Sequence, residues 1–167
     1  DSADKGRMVC VKVPTSFAKD ELVFDNAVDA AAWKANEVWR NSQSSSSGSP
    51  IIHDGIVYQI TDTGSVIAVK AESGEIVWES KVSNGNTHSS PLYADGRIYA
   101  PLMEGAVFVL DAKDGKELQK IDLEGNCIGA AMICNAHLFV HTTEKLYCFP
   151  ITNDGATVDP TPETAPA

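Results

Sequence analysis

The chain contains no apolar run approaching the ~18 residues of a membrane-spanning helix, so no membrane span is expected. Positive charge is scarce: 13 Lys and Arg stand against 23 Asp and Glu, a formal net charge of −10. Nucleic-acid binding calls for a basic surface, and that partner class is set aside. The one lysine-rich stretch, Lys113 to Lys120, is interrupted by Asp114 and Glu117 and reads as a solvated turn. Cysteine is sparse as well. Cys10, Cys127, Cys134 and Cys148 fall in no Cys-x-x-Cys spacing, which argues against a zinc or thioredoxin-type site. Cys10 and Cys148 sit in apolar runs and read as buried free thiols. The sequence opens on Asp1, with neither an initiator Met nor a secretory leader, and is read as a processed product, an excised piece or a fragment. What remains, 43% hydrophobic and 22% charged residues over 167 positions, is the composition of a globular domain.

Against these absences stands an internal repeat of 41 residues. Ser49-Pro50 recurs as Ser90-Pro91, Gly55 as Gly96, Tyr58 as Tyr99, Gly64 as Gly105, Val66 as Val107, Ala71 as Ala112 and Gly74 as Gly115. A degraded third copy has Ala136 for Gly96 and Phe139 for Tyr99. A period of this length, with four short strands per unit, is the signature of a β-propeller blade. In the first full unit the turns Asp54-Gly55, Asp62-Thr63-Gly64 and Ser73-Gly74 separate strands at 49–53, 56–61, 65–71 and 75–80. Asp-Gly between apolar runs favours a tight hairpin. The second unit repeats the pattern with Asp95-Gly96, Glu104-Gly105 and Asp114-Gly115. The expected fold is all-β: a partial propeller over 1–155, built from four-stranded antiparallel blades at 49–81, 90–122 and 129–155. The third of these shows only three strands. A half blade at 6–40 precedes them, interrupted by an insertion at 14–36 in which 29–35 favours a short helix. The tail 156–167, rich in Pro, Thr and Ala, is expected to be disordered.

Ala68 to Trp78 resembles the tryptophan-docking repeat of the PQQ-like propeller family, A-x-D-x-x-T-G-K/E-x-x-W. Ala68, Gly74, Glu75 and Trp78 match, Ser73 stands for Thr, and Lys70 replaces the usual Asp. In the next copy Asp111, Gly115 and Lys116 fit, while Gln119 replaces Trp and Val109 replaces Ala. Cys10 and Cys148 occupy the Ala position of the outer units, and Trp39 the Trp position of the half blade. The resemblance implies that Trp39 and Trp78 stack over the Ala and Gly positions of a neighbouring blade, with Ala68, Gly74 and Gly115 as partners in that docking. It also implies an extracytoplasmic protein. Some members are quinone-dependent dehydrogenases that hold PQQ and calcium at the ring centre. Others, in outer-membrane assembly, are protein-interaction scaffolds without quinone. The dehydrogenases' vicinal Cys-Cys pair is missing here, and no Asp or Glu is assignable as base or calcium ligand, so no catalytic or metal residue is assigned. The reading is a non-catalytic scaffold without cofactor. The alternative is a fragment of a PQQ-dependent dehydrogenase, or another propeller enzyme, whose active residues lie on other blades.

In a propeller the inter-blade loops and the loops between second and third strands share one face. Here that face collects Asn86, His88, Glu104, Asn126, His141 and Glu144 as candidate binding residues. His88 and His141 belong to different blades and have no metal-ligand spacing. His53 and His137 flank turns on the opposite face and receive no role. With half a blade at one end and three strands at the other, the ring is expected to be completed by another polypeptide. That partner is expected to be the N-terminal part of the same gene product.

Overall fold

A computed structural model of the chain describes residues 7–13, 35–85 and 87–152. Residues 29–34 of the expected helix, the tail 156–167 and Asn86 lie outside them. Among the described residues there are thirteen strands in four antiparallel sheets, the architecture of a partial β-propeller. The first sheet pairs β1 (Val9–Val11) with β2 (Glu37–Arg40). The second runs in sequence order through β3 (Ile51–His53), β4 (Ile56–Ile60), β5 (Ser65–Lys70) and β6 (Ile76–Lys81). The third repeats it with β7 (Leu92–Ala94), β8 (Arg97–Leu102), β9 (Ala106–Asp111) and β10 (Glu117–Asp122). The fourth has β11 (Met132–Cys134), β12 (His137–His141) and β13 (Leu146–Pro150).

The turns set this order. Asp54-Gly55 and Asp95-Gly96 have φ of 46° and 75°, and 47° and 71°. Two successive positive φ values make the type I′ turn whose twist matches the strands it joins. The third copy keeps that geometry in Asn135-Ala136, at φ 49° and 59°. There alanine adopts a left-handed conformation that costs an L-residue roughly 1–2 kcal/mol, so the hairpin survives the loss of its glycine at the expense of strain.

The core lies between the sheets. From the third sheet, Ile98, Ala100, Leu102, Ala106, Phe108 and Leu110 pack towards the second, against Tyr58, Ile60, Val66, Ala68 and Trp78. The alternate residues Tyr99, Val107 and Val109 pack the other way, against Leu138, Val140 and Phe149 of the fourth. Period-2 alternation with both phases apolar buries both faces of a sheet, and this lets blades stack in series.

The first two junctions carry one indole each, while the junction of the third and fourth sheets has Gln119 at that position. Trp78 is 9% exposed, and its Nε1–H donates to the Ala112 carbonyl at 3.0 Å. A Cβ placed on Gly115 would lie 2.5 Å from Cε3 of Trp78. Trp39 stands in the same relation one blade earlier. Its Nε1–H donates to the Ala71 carbonyl at 2.8 Å, and a Cβ on Gly74 would lie 2.5 Å from its ring. Trp39 is only half-buried, because its two-stranded sheet offers less to cover it. Ala68 and Cys10 pair directly with these indoles' own residues across the ladder, Ala68 with Trp78 and Cys10 with Trp39. The cysteines are all free, and burial falls on Cys127, whereas Cys10 and Cys148 are half-buried and Cys134 is exposed. This corrects the reading of Cys10 and Cys148 as buried: both sit on sheets with fewer than four strands among the described residues. Burial pushes the Cys127 thiol up from its ordinary value, partly countered by a backbone hydrogen bond at Leu102.

Candidate functional site

The inter-blade loops cross the tips of the next blade's second hairpin, and side chains tie them there. The Ser44 hydroxyl donates to Asp62 Oδ2 at 2.9 Å, while Ser46 donates its backbone N–H and its hydroxyl to Oδ1 at 2.7 and 2.8 Å. One blade on, the Ser83 hydroxyl donates to Glu104 at 2.5 Å. One further, Asn126 donates its side-chain amide to the Met103 carbonyl at 2.5 Å and its backbone N–H to Thr143 Oγ1 at 3.0 Å. Glu144 lies in the same turn, its Cγ 2.9 Å from where a Cβ on Gly125 would sit. His141 ends β12 opposite Leu146 and is exposed.

His88 meets the preceding inter-blade loop, with Nδ1 2.9 Å from Ser47 Oγ. That hydroxyl also lies 3.1 Å from the Thr87 carbonyl, to which it donates. A serine hydroxyl has one proton, so with that proton on Thr87 the His88 Nδ1–H is the donor to Ser47. The pair is a clasp between neighbouring loops. Ser49 N–H to Ser90 Oγ at 2.8 Å repeats the loop-to-loop contact. Gly48 permits it, since a Cβ there would lie 2.5 Å from the Ser89 carbonyl oxygen.

The loops therefore bring His88, Glu104, Asn126 and Glu144 to one rim, although His88, Glu104 and Asn126 spend polar atoms on holding the loops. Asp62, Ser44, Ser46 and the buried Gln59 were missed as site residues. The two N–H protons of Gln59 Nε2 are shared among three acceptors, Ser45 Oγ and the carbonyls of Gly48 and Ile60. Its signal was a polar residue inside an apolar strand. Among the described residues no three His, Cys, Asp or Glu side chains gather as a metal site would require.

Asp62 gives this rim a pH dependence. Burial pushes its carboxyl up, but the hydrogen bonds from Ser46 and Ser44 and the charge of His88 together outweigh it. Its pKa is lowered. A carboxylate depressed in the fold stabilises it above the ordinary value of ~3.9 and loses that contribution as pH falls through the lower folded value. The protection of the Ser46 amide against hydrogen exchange, relative to its intrinsic rate at each pH, is expected to fall as the pH is lowered through this range, and Asp62→Asn to flatten the dependence. An identical pH profile in the variant would remove Asp62 as the cause.

These blades, sheet orders and inter-blade indoles define a class of protein, the repeat propellers. The family described as outer membrane protein assembly factor BamB matches residues 19–118, and the chain belongs to this PQQ-like propeller family. No curated protein matches the chain. Among solved structures it resembles BamB from Moraxella catarrhalis at 20% identity and a TM-score of 0.59, over 68% of this chain and 36% of that one. It thus spans about a third of that protein's length. The computationally designed Ika4 protein is similar at 13% identity and a TM-score of 0.61, over 70% of this chain and 73% of the other. Quinohemoprotein alcohol dehydrogenase ADHIIG from Pseudomonas putida HK5 is similar at 18% identity and 0.51, over 67% and 19%. At these identities the likeness is one of fold.

Proposed function

We propose that the chain is a non-catalytic PQQ-like propeller module. It acts as a protein-interaction scaffold inside a larger ring, completed by another polypeptide segment, the N-terminal part of the same gene product. The observation that carries this reading is the outer side of β13. In the second and third sheets the third strand is covered by a fourth, and Ser65 and Ala106 are 2% and 1% exposed. Leu146, at the matching place in β13, is 67% exposed, and among the described residues no strand pairs beyond it. An unpaired ladder edge beside an uncovered leucine invites strand addition. Among the described residues the first sheet has two strands where the others have three or four. In this reading Trp39 and Trp78 dock blade on blade, and the loop rim, with its polar groups engaged in holding loops, presents a shaped surface to partners.

Work in outer-membrane assembly, named in the family's description, supports placing the chain outside the cytoplasm. No helix among the described residues is long and apolar enough to cross a membrane. Sedimentation of the isolated chain tests the completion. Self-association or aggregation is expected, relieved when the N-terminal segment is co-expressed. A non-aggregating monomer with a sharp melt would overturn it.

A second reading, a segment of a quinone-dependent dehydrogenase, draws on the likeness to the alcohol dehydrogenase. The described residues do not fit a PQQ–calcium site: they gather no acidic cluster, and the sequence has no vicinal cysteines. That reading therefore places the ligands on other segments. Absorbance spectra of the completed protein with PQQ and calcium separate the two: a bound quinone spectrum favours the dehydrogenase.

A further inference from the structure

On the face opposite the loop rim, the junction of the second and third sheets opens into a recess of about 410 Å³. Its wall is aromatic. The rings of His53 and Tyr93 stack at 3.8 Å between centroids, and Tyr58 continues the stack 5.9 Å from Tyr93. Asp54, on the β3–β4 turn, and Asp111, the last residue of β9, also line the recess, with Lys113. His53 Nε2 lies 3.2 Å from Asp54. Gly96 leaves the floor bare, with no heavy atom within 4 Å of where a Cβ would sit.

The repeat does not require this chemistry. One blade earlier the places of Tyr93 and Asp111 hold Ile52 and Lys70; one blade later those of His53 and Tyr93 hold Ala94 and Ile133. The sheets fold the same way at all these positions, so the combination belongs to this junction alone. Two carboxylates and one ammonium line the recess. Burial raises the Tyr58 pKa first, then the neighbouring Tyr93 and the charges of Asp54 and Asp111. Asp111 Oδ1 accepts the Lys113 backbone N–H at 2.8 Å, a bond that shapes the turn after β9.

We propose that this recess binds a cationic side chain of the guanidinium class, presented by a polypeptide partner. A planar, weakly hydrated cation gains from an aromatic face and from carboxylate hydrogen bonds at once. A chain of net charge −10 draws cationic partners over a longer range. The proposal does not depend on ring completion, because every lining residue belongs to the second and third sheets.

N-acetyl-arginine methylamide is the probe, with its citrulline counterpart as the neutral isostere, and the readout is the NMR shifts of the His53 and Tyr93 ring protons. Saturable shifts with the arginine probe are expected. The double variant Asp54→Asn with Asp111→Asn keeps both turns, since Asn tolerates the positive φ of residue 54 and preserves the Oδ1 acceptor of residue 111. Loss of two exposed charge contacts should weaken binding about fivefold or more. Absence of shifts, equal binding of citrulline, or unchanged affinity in the double variant would each overturn the proposal. Circular dichroism of the variant confirms that any loss is not unfolding.

Discussion

Replacing Trp78 by alanine is expected to lower the stability of the folded chain by about 3–5 kcal/mol, the usual range for truncating a core tryptophan. The side chain is 9% exposed and belongs to the cluster that joins the second and third sheets. Its loss opens a cavity between two rigid sheets that cannot collapse independently, because each is held by its own ladder. It also removes a donor from the Ala112 carbonyl, which retains the Tyr58 hydroxyl at 3.3 Å. That second donor keeps the carbonyl from being orphaned, so the loss is chiefly one of packing. Trp39→Ala should cost less, since Trp39 is half-buried. Urea melts decide: a Trp78→Ala variant within ~0.5 kcal/mol of the parent would show that the indole does not hold the junction.

Gly115→Ala should be nearly as damaging, by about 2–5 kcal/mol, from two sources. At φ +74° an L-residue is strained, and the new methyl would sit 2.5 Å from the indole of Trp78. The ring is pinned by its hydrogen bond to Ala112 and cannot swing away cheaply. The two sources separate in a double-mutant cycle. With Trp78 already alanine the clash is gone, and Gly115→Ala should cost only the backbone strain, roughly 1–2 kcal/mol. Additivity of the two substitutions would mean that indole and glycine do not touch.

The strands and their hairpins were legible in the sequence because local chemistry dictates them. Asp-Gly pairs select the I′ turn, and two-residue turns fix which residues face one another. The observed strands accordingly begin and end within one or two residues of most sequence-based bounds, as in Ile56–Ile60 and Ser65–Lys70. In the blade expected at 129–155 the first strand, β11, starts only at Met132. There the repeat is most degraded and no glycine marks the turn.

The candidate site was legible only in outline. The repeat register placed His88, Glu104, Asn126 and Glu144 on one rim, since loops at equal phase in each unit emerge on the same side. It could not show that Ser47 takes up His88, or that Ser83 takes up Glu104, because those contacts join residues 41 and 21 positions apart through loops without regular periodicity. The stack of His53 on Tyr93 escaped notice for the same reason. The one trace it left in the sequence was a tyrosine where the preceding unit has Ile52.

By itself, then, the sequence determined the all-β class, the blade period, the hairpin turns and the family resemblance, all of which follow from short-range turn chemistry and a repeat that copies it. Only the tertiary structure decided which phase of each strand faces which neighbour and where polar side chains are spent on loop contacts. It also decided where two carboxylates and an aromatic stack converge. Those outcomes depend on how whole sheets pack, and packing is set by residues some 40 positions apart that no local pattern links.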